Sequence, residues 1–137
     1  MIIVSACLAG VKCRYDGKDN ANNKVMEMVK KGIAIPICPE QLGGLQTPRI
    51  PAEIIKDKVI NKKGKNVTAQ FEKGAKEALR IAKLANCHKA ILKQSSPSCG
   101  YGKIYDGSYT GRITKGMGLT ARLLFQKGIV ILTEEDL

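Results

Sequence analysis

Aromatic side chains are scarce in this chain. There is no tryptophan, phenylalanine occurs twice, and Phe, Trp and Tyr together make up 4% of 137 residues. The stacking platforms on which single-stranded nucleic acids bind are therefore poorly supplied. No apolar run approaches the length that crosses a membrane. The N-terminal M-I-I-V-S-A has neither the basic flank nor the apolar stretch of a secretory signal, so the expected location is the cytoplasm. Histidine occurs once, and none of the five cysteines forms a CxxC pair. The paired ligands from which structural zinc sites are usually built are missing. An odd cysteine count in a reducing compartment argues against a disulfide framework and leaves thiolates free for metal binding or catalysis.

The apolar fraction of 44% is that of a globular protein. The length fits one domain, residues 1–137, with a core that needs no staples. The formal net charge is +11, from 23 Lys and Arg against 12 Asp and Glu. That excess suits an RNA or another anionic partner, or simply a lysine-rich solvated surface.

Read in order, the sequence alternates strand and helix. Residues 2–6 form a short β-branched run, 21–31 an amphipathic helix closed by Gly32, and 33–37 a second strand. Pro36 inside that strand predicts an edge position or an early end. Residues 39–52 read as loop, and 53–67 as a small β-ribbon built on Ile54-Ile55 and Val59-Ile60. Thr68 is placed to cap a helix running to about residue 85, with Asn86 as its left-handed terminator. Residues 88–94 read as strand, 95–118 as a long glycine-rich loop, 119–127 as a helix stopped by Gly128, and 129–132 as the last strand. The pattern predicts an α/β fold with an open, mostly parallel sheet, flanking helices and a small β-ribbon insertion.

Three cysteines fall just beyond strands: Cys7 after the first, Cys38 after the second, and Cys99 in the loop after the third. Parallel strands would bring all three to the carboxyl edge of the sheet, where ligands bind in such folds. Their neighbours are C-L-A-G, C-P-E-Q and S-C-G, which are loop-forming sequences that allow close backbone approach. Cys13 lies close enough to be a fourth candidate, whereas Cys87 precedes its strand and belongs at the opposite edge. Widely spaced, thiolate-only ligation is compatible with an iron–sulfur cluster. With three protein thiolates, one iron of a [4Fe–4S] cluster stays open to substrate as a Lewis acid. His88 sits at the wrong edge to be a ligand.

Glu40 follows Cys38 by two residues and is placed to act as a general base. Ser95, Ser96 and Ser98 set hydroxyls beside Cys99, although turn chemistry around Pro97 explains them equally. Arg14, Tyr15 and Asp16 in C-R-Y-D-G, together with Arg49 in T-P-R-I-P, are candidates for positioning an anionic or base-like substrate. Lys103 is a further candidate for a phosphate. G-Y-G-K at 100–103 lacks the full phosphate-loop pattern.

Four segments then carry a resemblance: S-A-C-L-A-G with C-R-Y-D-G at 5–17, C-P-E-Q-L-G-G-L-Q-T-P-R-I-P-A-E at 38–53, L-K-Q-S-S-P-S-C-G at 92–100, and I-Y-D-G-S-Y-T-G with G-L-T-A at 104–121. In order and spacing the chain resembles the thiouracil desulfurase family through nearly its whole length. The resemblance implies a cytoplasmic, Rossmann-like α/β domain. It implies a [4Fe–4S] cluster on Cys7, Cys38 and Cys99, with Glu40 and Ser96 as catalytic residues. The implied reaction replaces a pyrimidine thiocarbonyl sulfur by oxygen, and the expected partner is a small thiolated pyrimidine base or nucleotide, ahead of nucleic acid. Family members can have an apolar residue where Cys13 stands, so Cys13 is left outside the ligand set. Ala9 departs from a leucine common in the family, and Gln41-Leu42 falls in a variable loop. Two other classes stay open: a metal- or cluster-containing RNA-binding or tRNA-thiolation protein, and a regulatory metal sensor.

Overall fold

The computed structural model describes residues 1–137. Strand β1 (Ile2–Ser5) leads into a 3-10 turn, Ala6–Ala9, and helix α1 (Asn23–Lys30) returns the chain to β2 (Ala34–Ile37). A one-turn helix α2 (Pro39–Leu42) follows, then the ribbon β3 (Ala52–Ile55) and β4 (Lys58–Asn61), and the long helix α3 (Thr68–Leu84). Strand β5 (Lys89–Leu92), a hairpin β6 (Tyr101–Tyr105) and β7 (Ile113–Met117), helix α4 (Leu119–Gln126), β8 (Val130–Thr133) and a 3-10 turn at Glu134–Asp136 complete the chain.

The four main strands are all parallel, in the order β2-β1-β5-β8. The chain steps from β1 out to β2, then crosses back past β1 to β5. The winding therefore reverses between β1 and β5, and the crevice at their carboxyl ends is the topological switch point of an open α/β sheet. Alternation along the strands divides the core. Val4 and Ile91 meet Leu8 of the 3-10 turn and Val25 of α1 on one face, while Ile3, Ala90 and Leu92 meet Ala78, Ala82, Ala121 and Leu124 of α3 and α4 on the other. Burial on both faces explains why these strands read as nearly continuous apolar runs. No helix is long and apolar enough to cross a membrane.

Pro36 lies on β2, an edge strand, as its missing N–H requires. Asn86 is left-handed with φ 55°, ending α3 as expected. Helix α1 starts at Asn23, two residues later than the periodicity suggests, because the Asn22 side chain accepts from the N–H groups of Lys24 and Val25 and caps it there. Thr68 is the first residue of α3 and not its cap. Its Oγ1 accepts instead from Val59 N (2.9 Å), tying the helix to the β3–β4 ribbon. The stretch 95–118 is no plain loop either, since most of it is the β6–β7 hairpin. Gly102 faces Gly116 in that ladder and only Ile104 among its residues is buried, so neither propensity nor alternation marks the strands.

Candidate active site

Each of the three strand-end cysteines is set by a local break in regular structure. Cys7 occupies the 3-10 turn that ends at left-handed Gly10 (φ 89°). Cys38 is extended and immediately precedes α2, whose first residue is Pro39. Cys99 lies in the turn between β5 and β6, where its N–H donates to Ser96 Oγ (2.7 Å). All three line one cavity of about 470 Å³ at the carboxyl edge of the sheet, and Cys13 lines it too. Cys87 is packed in the core beneath α3, away from this cavity.

The thiols differ in character. Cys13 is 2% exposed, and its carbonyl accepts from Cys38 Sγ at 3.9 Å. The neighbouring Cys13 thiol, aided by the Gln41 N–H and the Arg49 charge, brings Cys38 down to about 7 despite burial. Cys7 is likewise lowered, first by Cys13. Cys13 itself is pushed up by holding its proton between the other two. Burial pushes the Cys99 thiol up to about 12, against hydrogen bonds from Ser5 and Ser98.

Beside the thiols stands a connected polar group. Glu40 Oε1 pairs with Arg49 Nε (3.0 Å), and Oε2 accepts from Ser98 Oγ (2.9 Å). Arg49 also donates through Nη1 to Thr47 Oγ1 (2.9 Å) and through Nη2 to the Cys13 carbonyl (2.8 Å). Ser96 and Ser98 hydroxyls lie 3.2 Å apart. Ser98 has one hydroxyl proton and three acceptors within reach, Glu40 Oε2, Ser96 Oγ and, at 3.6 Å, Cys99 Sγ. The carboxylate is thus held at both oxygens by residues from two other segments.

Helix α3 sets the depth of this arrangement. A Cβ on Gly74 would lie 1.9 Å from the Pro39 carbonyl oxygen, and one on Gly43 would lie 1.9 Å from that of Gln70. Only two facing glycines let α2 sit this close to α3, and α2 carries Glu40 directly behind Cys38.

Arg14, Tyr15, Glu40, Arg49, Ser96 and Ser98 all line the cavity. Asp16 does not. It lies behind Arg14, pairing with Nη2 at 2.8 Å and accepting from Lys18 N. Lys103 is also outside the wall, paired with Glu135 at 2.8 Å. Lys93, Ser5 and Asn20 are wall residues that the sequence did not single out. Lys93 obeys the same strand-end rule as the cysteines. It was hidden because β5 stops at Leu92, two residues short of the end that the apolar pattern suggests.

No three Cys, His, Asp or Glu side chains converge on one point as ligands of a single metal ion would. Cys7, Cys38 and Cys99 come from three separate segments and line one cavity, an arrangement that fits a cluster, whose thiolates each meet a different iron. The donor set is thiolate-rich and histidine-free, which also favours iron–sulfur ligation.

Fold and site together define a doubly wound α/β protein with a thiolate-lined cavity at its switch point. The model of the 2-thiouracil desulfurase family matches residues 2–136, and the chain belongs to that family. A protein of Bacillus subtilis (strain 168), described only as uncharacterized protein YbbK, is 42% identical over 147 positions, covering 100% of this chain and 97% of that one. The solved structure of a [4Fe-4S]-dependent thiouracil desulfidase, TudS, superposes with a TM-score of 0.95 at 43% identity, covering 99% of this chain and 91% of that one.

Proposed function

We propose that this chain is an iron–sulfur-dependent desulfurase that converts 2-thiouracil, or a closely related thiolated pyrimidine, to its oxo form with release of sulfide and no net redox change. The observation that carries the proposal is the cavity itself. It gathers Cys7, Cys38 and Cys99 with the Glu40–Arg49–Ser98 group, in a chain that matches the desulfurase family from end to end.

Cys7, Cys38 and Cys99 would hold the [4Fe–4S] cluster, with buried Cys13 beside them in the same wall. When bound, a cluster with only three protein thiolates supplies a Lewis acid through its remaining iron. Glu40 takes a proton from the water that adds to the thiocarbonyl carbon and returns one to the departing sulfur, so that C=S and water become C=O and hydrogen sulfide. Arg49 holds and aims the carboxylate, and Ser98 fixes the rotation of its second oxygen. Ser96 anchors the Cys99 backbone and reaches Ser98, coupling the base to the thiolate loop. Tyr15, 44% exposed at the mouth, offers a ring face to a pyrimidine.

The test is turnover of 2-thiouracil by anaerobically reconstituted protein, followed by loss of the thione absorbance and by sulfide assay, without ATP or reductant. Glu40→Gln should keep the cluster spectrum and lose about 10²- to 10⁴-fold in kcat, the usual worth of a general base. Near-normal turnover in that variant would remove Glu40 from the mechanism. The charge of +11 is the observation that favours RNA. A strong, salt-sensitive preference for thiolated tRNA over the free base would replace the small-molecule reading.

A further inference from the structure

Two cations of the cavity wall, Arg14 and Lys93, have no part in the scheme above, and Lys93 is the one with a donor to spare. Its backbone is fixed from below, where its N–H donates to Ser5 Oγ (2.9 Å). Its ammonium meets Glu134 Oε2 at 2.6 Å and the Gln94 carbonyl at 3.3 Å. Glu134 is locked in turn, because Oε1 accepts from Gln94 N at 2.7 Å. The C-terminal 3-10 turn that carries Glu134 is closed by a capping box between Thr133 and Asp136. An ammonium has three N–H donors, and these contacts use two. The third belongs to a group that lines the cavity and is 31% exposed.

The two arginines of the wall are fully engaged. Arg49 directs Nε and both Nη atoms at Glu40, Thr47, Gln46 and Cys13. Arg14 directs both Nη atoms at Asp16, Asp19 and Asn20. Guanidinium forks are fixed in their plane, whereas an ammonium turns about its last bond and can aim a free donor. A thiopyrimidine such as 2-thiouracil keeps one exocyclic oxygen at the ring position that carries no sulfur, and that oxygen is a pure acceptor.

We infer that Lys93 is a substrate-recognition residue whose free N–H donates to this retained exocyclic oxygen, with Glu134 as the positioning residue that holds the ammonium toward the cavity. The inference rests on the desulfurase reading of the same cavity and adds the atom of the substrate that is recognised.

The experiment uses reconstituted holoenzyme of wild type, Lys93→Met, Lys93→Arg and Glu134→Gln, with cluster absorbance and thermal melts recorded for each. KM and kcat for 2-thiouracil are measured beside calorimetric affinities for uracil and for pyrimidin-2-one, which lacks the second oxygen. Lys93→Met should raise KM for 2-thiouracil and weaken uracil about 10- to 100-fold, the loss of a hydrogen bond to a charged donor. Its effect on pyrimidin-2-one should be less than about threefold, and kcat should change far less than KM. Lys93→Arg should recover part of the uracil affinity, and Glu134→Gln should shift it in the same direction by less. Equal losses for uracil and pyrimidin-2-one, or no loss for either, would overturn the inference. Should wild type fail to desulfurise 2-thiouracil, the proposed function falls, while the uracil-to-pyrimidin-2-one ratio still decides the role of Lys93.

Discussion

Replacing Gly74 by alanine sets two effects of opposite sign against each other. In an exposed helix interior the change stabilises by about 1 kcal/mol, because alanine gives up less backbone freedom on folding. Here the new Cβ would lie 1.9 Å from the Pro39 carbonyl oxygen and 2.7 Å from the carbonyl carbon. Both obstacles are backbone, so no side chain can rotate out of the way. Reaching ordinary contact requires α2 and α3 to part by roughly 1.5 Å, and forced overpacking of this kind costs about 1–3 kcal/mol. The clash outweighs the propensity gain, and the net change is a loss of about 1 kcal/mol or more. For a chain this long that is a fall in Tm of roughly 3–8 °C.

The functional effect should exceed the stability effect. Helix α2 carries Glu40 in its first turn and Cys38 immediately before it. A displacement of about 1 Å at a reacting group can cost on the order of 10²-fold in rate. Gly74→Ala should therefore fold, melt a few degrees lower, load less iron and lose about 10²-fold in kcat for 2-thiouracil. Gly43→Ala should do the same from the other side of the contact, and the double variant should be less than additive because one parting of the helices relieves both clashes. Lys73→Ala, on the exposed face of the same helix, is the control. A Gly74→Ala protein with raised Tm and full activity would mean that the glycine contact does not set the position of the site.

Cys7→Ser, Cys38→Ser and Cys99→Ser should each abolish the iron–sulfur absorbance and turnover together, whereas Cys87→Ala and Cys13→Val should retain cluster by iron and sulfide analysis; cluster loss in Cys87→Ala would overturn the site. Arg49→Met should lower stability by about 2–4 kcal/mol in chemical denaturation, since it strands the Glu40 carboxylate and frees the Cys13 carbonyl. Turnover should drop with it, and an unchanged midpoint would show the pair to be dispensable.

The main sheet was legible because its strands are buried on both faces and its helices end on stop signals. Ile2–Ser5, Ala34–Ile37, Lys89–Leu92 and Val130–Thr133 are short β-branched or apolar runs, and Gly32, Asn86 and Gly128 all adopt the positive φ that helix termination asks of them. The hairpin at 101–117 was not legible. Its strands face solvent, carry glycines opposite each other and bury little, so pairing across a turn and not side-chain pattern holds them. The four-residue helix α2 was equally silent, for it is too short to show a period and owes its place to Gly43 and Gly74. A lone glycine inside a helical pattern reads only as a small cost until the facing backbone is known.

The cysteines could be found because strand ends are topological positions, and topology converts them to proximity. Glu40, Ser98 and Arg49 could be named as candidates but their mutual contacts could not, because nothing periodic links Glu40 to Ser98, 58 residues on, or Arg49 to Cys13, 36 residues back. Those contacts exist only once the crossovers are made, and they decide the charge of the cavity. Arg14 is answered by Asp16, Arg49 by Glu40 and Lys93 by Glu134, so the three cations of the wall are each neutralised by a carboxylate. No wall cation is left without a counterion; the wall groups that are left so include the Glu53 carboxylate and the thiols, two of which are lowered toward the thiolate form. The excess positive charge of the chain therefore lies elsewhere, on exposed lysines such as Lys62, Lys63 and Lys65 in the turn that follows β4. A cavity so balanced favours a cationic metal core over a polyanion, and that is the physical ground for reading the edge of this sheet as a cluster site and not as a phosphate cradle.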